Sequence, residues 1–503
     1  MRKSYKLTQD QFEYIVEQAD AILRKHASNI SIVGIAWLHV LNSHPANQVK
    51  YVYVFNKKKS FKRCKDFFFR FTVIMADLLL SLFSFLKKSK YKNLSADIQV
   101  LFISHIVNPK ATKKDHDFYF QELPDYLELR KYHTAIALMN HTKVFKGWEG
   151  SESDTPVKFL IPRRMGFLSE LSLLARSLST AFFFLKQSFS EKDQLKKSFL
   201  LELVGNVFSV DTMRAFRIYE TVKWITENTT INIVALTWEG HSWERLVCHA
   251  AKTANRKILC IGYQHTILFP SSHALKRSFD DAYDPDIILT VGSVTKDIME
   301  SSLRSHHILV REYGSPRMAV RKLYQPDKPL QNACLIAPEG LVEESIRLFS
   351  FGIEMAKLMP ETNFVFRTYP ALDFEDLQVL DERLQNLPTN IIISSFKKIE
   401  DDFNRTNWLL YRSSSVSFFA TLSGLRPVYL QMEDELSIDP LYALQSWRLQ
   451  VTKPDDMVSI INKDKQTSLA DKKLERQDAI IFCETYMTPY NMPVFEQCLP
   501  VQN

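Results

Sequence analysis

The stretch INIVALTWEGHSWER, residues 231–245, decides the fold. Its first seven residues form a short apolar, β-branched run of the kind that fills a buried strand. A turn rich in Gly, His and Ser follows, and a helix opens near Trp243. The same strand, loop and helix order recurs on either side. Candidate strands are Ile98–Ser104, Thr134–Met139, Ile231–Thr237, Lys257–Tyr263, Ile287–Val291 and His307–Arg311. Such alternation is the sequence form of a doubly wound parallel sheet.

Further along, residues 323–332 (LYQPDKPLQN) are polar with two prolines and precede a fresh strand, so a domain boundary is placed there. The second series has strands Ala333–Ala337, Asn363–Arg367, Asn390–Ser394, Trp408–Tyr411 and Pro427–Leu430, with helices at Glu343–Met359 and Val416–Leu422. The expected fold is therefore α/β, with two Rossmann-like domains facing a cleft. The division reads as a mostly helical accessory segment over 1–95, a first Rossmann-like domain over 96–325, a second over 326–470 and a helical tail over 471–503. A chain of 503 residues exceeds what one core usually serves, which agrees with that division.

Hydrophobic residues at 46% and few Gly and Pro exclude disordered and collagen-like classes. Six widely spaced cysteines with no CxxC pair argue against a zinc site or a disulfide scaffold and point to a reducing compartment. The first residues carry no apolar signal-peptide core, so a cytoplasmic location is expected. The net charge is +7, with the basic excess early in the chain.

That excess flanks the apolar stretch Phe67–Leu86, with Lys57, Lys58, Lys59, Lys62, Arg63 and Lys65 before it and Lys87, Lys88, Lys90 and Lys92 after it. Arg70 and Asp77 interrupt it, and a charge at mid-bilayer costs about 3 kcal/mol, so a helix lying in a membrane interface is a better reading than a span. Residues 57–92 would then meet anionic headgroups at the inner face of a bacterial membrane. The competing reading is a helix whose neighbours cover its Phe side chains. Phe167–Leu185 carries the same ambiguity. Nucleic-acid binding is not expected, because the basic clusters flank one apolar helix and no recognition motif accompanies them.

In open α/β sheets ligands bind at the carboxyl ends of strands. Glu239 lies there, where partial burial would raise its pKa and suit it to general acid or base work, although Glu239 or Ser242 could simply cap the following helix. His265 ends the next strand and could meet a phosphate or an acceptor hydroxyl, whereas a lone His is more often structural. In the second series, Glu339 and Gly340 form a cradle-like loop lacking a P-loop lysine. Arg367 ends a strand where its guanidinium could grip a diphosphate, and Ser413, Ser414 and Ser415 open a helix as an anion site. Asp401 and Asp402 read as a solvated helix start. No metal is expected.

Taken in order, the WEGHSWE run at 238–244, GYQH at 262–265, PEG at 338–340, the R-x-x-P turn at 367–370 and SSS with its trailing GLRP resemble bacterial surface-carbohydrate glycosyltransferases of the GT-B type. The resemblance is to members that use CMP-activated sugars, such as capsule Kdo transferases and sialyltransferase-like enzymes, and covers roughly residues 97–430. It implies a nucleotide-sugar donor at the PEG loop, the turn and the serines, a glycan or lipid-linked glycan acceptor in the first domain, and Glu239 and His265 in catalysis. Family members carry His before the turn's proline, where this chain has Tyr369. Two other readings stay open: a catalytically silent scaffold of a polysaccharide-assembly complex, and a CDP-alcohol phosphotransferase.

Overall fold

A computed structural model describes residues 7–42, 44–56, 60–82, 94–106, 117–141, 150–151, 156–303, 307–318, 332–433 and 435–499. Two sheets organise it. The first holds β1 (Val100–Ile106), β2 (Thr134–Asn140), β3 (Gly150–Ser151), β4 (Val157–Leu160), β5 (Ile233–Thr237), β6 (Leu259–Gln264), β7 (Ile287–Thr290) and β8 (Leu309–Glu312), in the order β3-β4-β2-β1-β5-β6-β7-β8. All neighbours pair in parallel except β3 with β4. The second holds β9 (Ala333–Ile336), β10 (Asn363–Phe366), β11 (Ile391–Ile393), β12 (Trp408–Tyr411), β13 (Arg426–Leu430) and β14 (Leu449–Val451), all parallel in the order β11-β10-β9-β12-β13-β14. The chain is thus α/β with two Rossmann-like domains. Central strands such as β5 are buried at every residue, as a sheet covered by helices on both faces requires.

The helices that frame the site and its supports include α1 (Gln9–Lys25), α2 (Ser60–Ser81), α3 (Phe167–Ser190), α4 (Gln194–Asn206), α5 (Val210–Asn228), α6 (Ser242–Ala254), α7 (Val342–Leu358), α8 (Val416–Leu422), α9 (Leu469–Tyr486) and α10 (Met492–Glu496). Every expected strand forms. The strands β3, β4 and β14, at or next to sheet edges, went unread because they are short and alternate too little to stand out. The expected interdomain stretch, residues 323–331, and the end of the first apolar stretch, 83–86, lie outside the described residues.

The tail returns to the first domain. Tyr486 on α9 packs on Phe418 of α8 with ring centroids 4.4 Å apart. Its hydroxyl accepts the Leu268 N–H of the first domain at 2.8 Å. Ser315 N–H then donates to Thr488 O at 2.7 Å, and the Tyr126 hydroxyl donates to Glu496 on α10 at 2.6 Å.

The N-terminal segment is fastened by a carboxylate. Asp20 on α1 accepts from Arg277 at 2.6 Å and bonds His273 at 3.0 Å, both on the loop after β6. Burial alone would raise the Asp20 pKa, but the His273 hydrogen bond and the Arg277 charge together hold it down to about 2. The folded state therefore prefers the ionised form, so the stability contribution is present above about pH 4 and lost as pH falls towards 2. By linkage it amounts to about 2 kcal/mol. Asp20→Asn should remove that contribution at pH 7 and flatten the acid limb of a stability–pH curve between pH 4 and 2.

The two apolar helices sit side by side, α2 against α3. The charges that interrupt α2 point inward. Arg70 donates to Gly205 O at 3.0 Å and Asn206 at 3.2 Å, while Asp77 accepts from Arg164 at 2.6 Å and Arg217 at 3.1 Å. Phe67 packs on Phe208, 5.4 Å between centroids. Phe68 and Phe69 are 66% and 69% exposed, so neighbours do not cover the stretch as a buried helix would require. Among the described residues, α3 is the one helix long and apolar enough to cross a membrane, and 39% of its apolar window is buried.

Candidate active site

The first sheet reverses its winding between β1 and β5. From β1 the chain moves outward through β2 and β4, and from β5 it moves the other way through β6, β7 and β8. The loops at such a switch point part and leave a crevice at the strands' carboxyl ends. Four histidines from four adjacent strands stand there. His105 lies near the end of β1, His141 follows β2, His241 follows β5, and His265 follows β6.

His105 Nδ1 and His141 Nε2 share a hydrogen bond at 2.9 Å, and His105 Nε2 meets the Thr237 hydroxyl at 2.9 Å. Burial and then the neighbouring His141 push the His105 pKa down to about 3, so this ring is neutral. Burial lowers His265 too. Its Nδ1 faces the Tyr263 carbonyl at 3.4 Å, and its ring meets Tyr119 edge-on, 4.6 Å between centroids.

His241 behaves differently. Its Nε2 lies 3.0 Å from Glu239 Oε2, with both side chains about a third exposed to the crevice. Burial opposes charge on His241, yet the bond to Glu239 and the nearby Glu244 carboxylate raise its pKa above the ordinary 6.5. For Glu239 the expected upward shift is overturned. Burial favours it, but the His241 hydrogen bond and charge bring the carboxyl down to about 2. The carboxyl that burial does raise, to about 7, is Glu244.

Glu244 shapes the loop. One of its oxygens accepts the backbone N–H groups of Glu239 and His241, at 2.9 and 2.8 Å, at the start of α6. Of the two residues proposed for capping, neither fills the role. Gly240 turns the loop with φ +82°, and a Cβ there would lie 2.3 Å from Ala274 O. Gly240→Ala is therefore expected to displace Glu239 and His241 together, visible as a lost His–Glu interaction in imidazole NMR shifts.

The second sheet has its own switch point, between β9 and β12. Glu339 and Gly340 follow β9, and Ser413 to Ser415 follow β12. Glu339 Oε1 lies 2.6 Å from Nε2 of His44, a residue of the N-terminal segment. Burial is outweighed there by the His44 bond, with Ser413 and Arg412 nearby, and the Glu339 pKa falls. Tyr369 is 48% exposed with its ring over Gly340, where a Cβ would come within 2.9 Å of it. Tyr119, in the first domain, has its pKa raised to about 12, chiefly by burial and then by the Glu239 carboxylate. His44 links the two walls: it bonds Glu339 on one side, and its ring lies 6.4 Å from that of Phe269, in the loop after β6, on the other.

Three expectations are corrected. Arg367 does not reach into the cleft: it ion-pairs with Asp402 at 2.5 Å and donates to the carbonyls of Phe396, Lys397 and Lys398, so its guanidinium is spent on fastening the loop after β11. Asp402, read as solvated, is fully buried between Arg367 and Arg405. The serines open a helix of only seven residues, and Ser414 already accepts the Val416 N–H at 3.3 Å and, through its carbonyl, the Ser417 hydroxyl at 2.9 Å. An anion site built from α8's N-terminus alone has little left to offer.

Sequence reasoning missed His105, His141, His241, His44 and Tyr119. The first two end strands that were read, one or two residues beyond the assigned ends, and His241 sits in the opening motif. Nothing local marks His44 or Tyr119, which enter from segments outside both sheets.

No family model and no curated protein matches the chain. Solved structures that resemble it include the glycotransferase of kitacinnamycin, 13% identical over 80% of this chain and 99% of that one, TM-score 0.45. Another is the α,α-trehalose 6-phosphate synthase from Burkholderia multivorans, at 12%, 80% and 97%, TM-score 0.46. A third is the UDP-GlcNAc 2-epimerase from Neisseria meningitidis bound to UDP-GlcNAc, at 12%, 80% and 99%, TM-score 0.43. These likenesses concern the path of the chain, and none of the three names a CMP-linked sugar.

Proposed function

We propose that this protein is a sugar-nucleotide-dependent glycosyltransferase, moving a CMP-activated nonulosonic acid or Kdo-like sugar onto a surface polysaccharide or lipopolysaccharide acceptor at the inner face of a bacterial membrane. The observation that carries this reading is the approach of the two switch points through His44, with titratable groups on one wall and the Glu339–Gly340 and serine loops on the other. A scaffold has no need of that arrangement.

On the acceptor side, the proton would pass from a sugar hydroxyl to His241 rather than to Glu239. A carboxylate with a pKa near 2 is a poor base at neutral pH, whereas an imidazole whose pKa is raised by its carboxylate partners is the better base. Glu239 holds the ring in place and stabilises the imidazolium as it forms. His265, neutral and with Nδ1 turned to a carbonyl, offers Nε2 to an acceptor hydroxyl. On the donor side, Glu339 would bind ribose hydroxyls, and Ser413, Ser414 and Tyr369 would donate to phosphate, in place of Arg367.

Calorimetry with CMP, CDP, UDP and GDP tests this. Selective CMP binding, weakened about tenfold in Ser414→Ala, supports the reading, since one lost hydrogen bond is worth about 1.4 kcal/mol. Tyr369→His should tighten it. Absence of binding to all four nucleotides would favour the silent scaffold, the reading that Tyr369 in place of His also suits.

A further inference from the structure

Beside three of the four histidines, between the accessory segment and the first domain, lies a cavity of about 880 Å³, a volume typical of sites that swallow most of a small ligand. His105, His141 and His241 line it where it meets the crevice. The remaining wall comes from the accessory segment and α4, including Trp37, Tyr53, Leu201 and Val204. Phe67 and Phe68 of α2 also line it. Phe68 is at once cavity wall and two-thirds exposed, so the cavity opens where the apolar face of α2 begins.

Both packed helices carry exposed apolar residues. Phe68, Phe69, Leu79 and Leu80 recur at helical spacing on α2, and Leu168, Leu171, Leu178, Phe182 and Phe189 do so on the adjacent α3, all exposed. An apolar surface of this extent on two packed helices needs a covering. The chain just before it carries six Lys or Arg residues between positions 57 and 65, a sequence suited to anionic headgroups. Of the cavity's three Lys and Arg residues, Arg70 is engaged by Gly205 and Asn206 and Lys50 by Asp211 at 3.9 Å, while Arg214 also lines the wall.

We infer that this cavity is the acceptor site and that its occupant is a lipid-linked saccharide, with the sugar against the histidines and the apolar chain leaving past Phe67 and Phe68 onto the face formed by α2 and α3. The inference rests on the transferase reading for the chemistry, but the binding it requires can be measured without a donor. Aromatic rings at Tyr53 and Trp243 offer sugar-stacking faces, and the phenylalanine doorway offers the chain an apolar exit.

The test uses n-dodecyl β-D-maltoside below its micellar concentration, with maltose and lauryldimethylamine oxide as headgroup-only and chain-only probes, read by the fluorescence of Trp37 and Trp243. Saturable maltoside binding, at least tenfold tighter than either partial probe and at least tenfold weaker in Leu201→Phe, is expected. Val204→Phe serves if Leu201→Phe melts early. Phe182→Ser, on the α3 part of that face, should lower retention on phosphatidylglycerol vesicles. Equal binding of maltose, or maltoside binding indifferent to both cavity-filling variants, overturns the inference. Lost CMP binding with intact maltoside binding would instead sink the donor reading alone.

Discussion

His241→Asn is expected to slow sugar transfer by about two to four orders of magnitude, the usual contribution of a positioned general base, while leaving nucleotide affinity unchanged because the donor loops lie on the other domain. The pH profile supplies a sharper reading. A base must be unprotonated to act, so the rate should rise with pH through a value above 6.5. In Glu239→Gln the imidazolium loses its anionic partner, its pKa drops, and the acid limb moves to lower pH, with kcat reduced at every pH because the ring is no longer oriented. If Glu239 were itself the base, Glu239→Gln would abolish the reaction and His241→Asn would merely slow it. Initial rates of both variants from pH 5 to 9 distinguish the two cases.

Arg217→Met is expected to cost about 3–5 kcal/mol of stability, the range for removing one partner from a buried ion pair. Arg217 on α5 makes two parallel bonds to Glu170 of α3, each 2.9 Å, and a third to Asp77 of α2 at 3.1 Å. Glu170 and Arg217 are both buried. Without the guanidinium, Glu170 keeps only the Met165 N–H at 2.8 Å, and its charge is left without a counter-ion inside the protein. The double variant Glu170→Leu with Arg217→Met should recover most of the loss, because two apolar side chains remove the stranded charge. Urea titrations of the three variants check this. The same network orients α2 and α3, so Arg217→Met should also weaken maltoside binding, and the double variant should restore it if the helices return to register.

The first apolar stretch marks the limit of local reading. Arg70 and Asp77 looked like interruptions that forbid a membrane span, and that inference about cost was sound. Their role was invisible: each reaches a partner more than 85 residues away, Asp77 to Arg164 and Arg217 and Arg70 to Gly205. Arg367 failed in the opposite sense. Its place at a strand end was read correctly, but whether a guanidinium faces a ligand or its own protein depends on what lies within reach, here Asp402 and three carbonyls supplied by the loop after β11.

Hydrophobic runs of four to seven residues, punctuated by polar loops and amphipathic helices, were enough to establish two parallel sheets and to place Glu239, His265, Glu339 and the serines at strand ends, because burial on both faces is written directly into a strand's composition. Charge state was not. Glu239 and Glu244 are five residues apart in similar local sequence, yet one carboxyl is held down to about 2 and the other raised to about 7. The difference lies in which oxygen finds an imidazole and which finds only backbone amides and desolvation. Strand order likewise came only from the tertiary structure, which placed β1 beside β5 and so gathered four histidines that lie up to 160 residues apart into one crevice. Electrostatics and convergence depend on distances of a few ångströms between segments remote in the chain, and no local pattern encodes those distances.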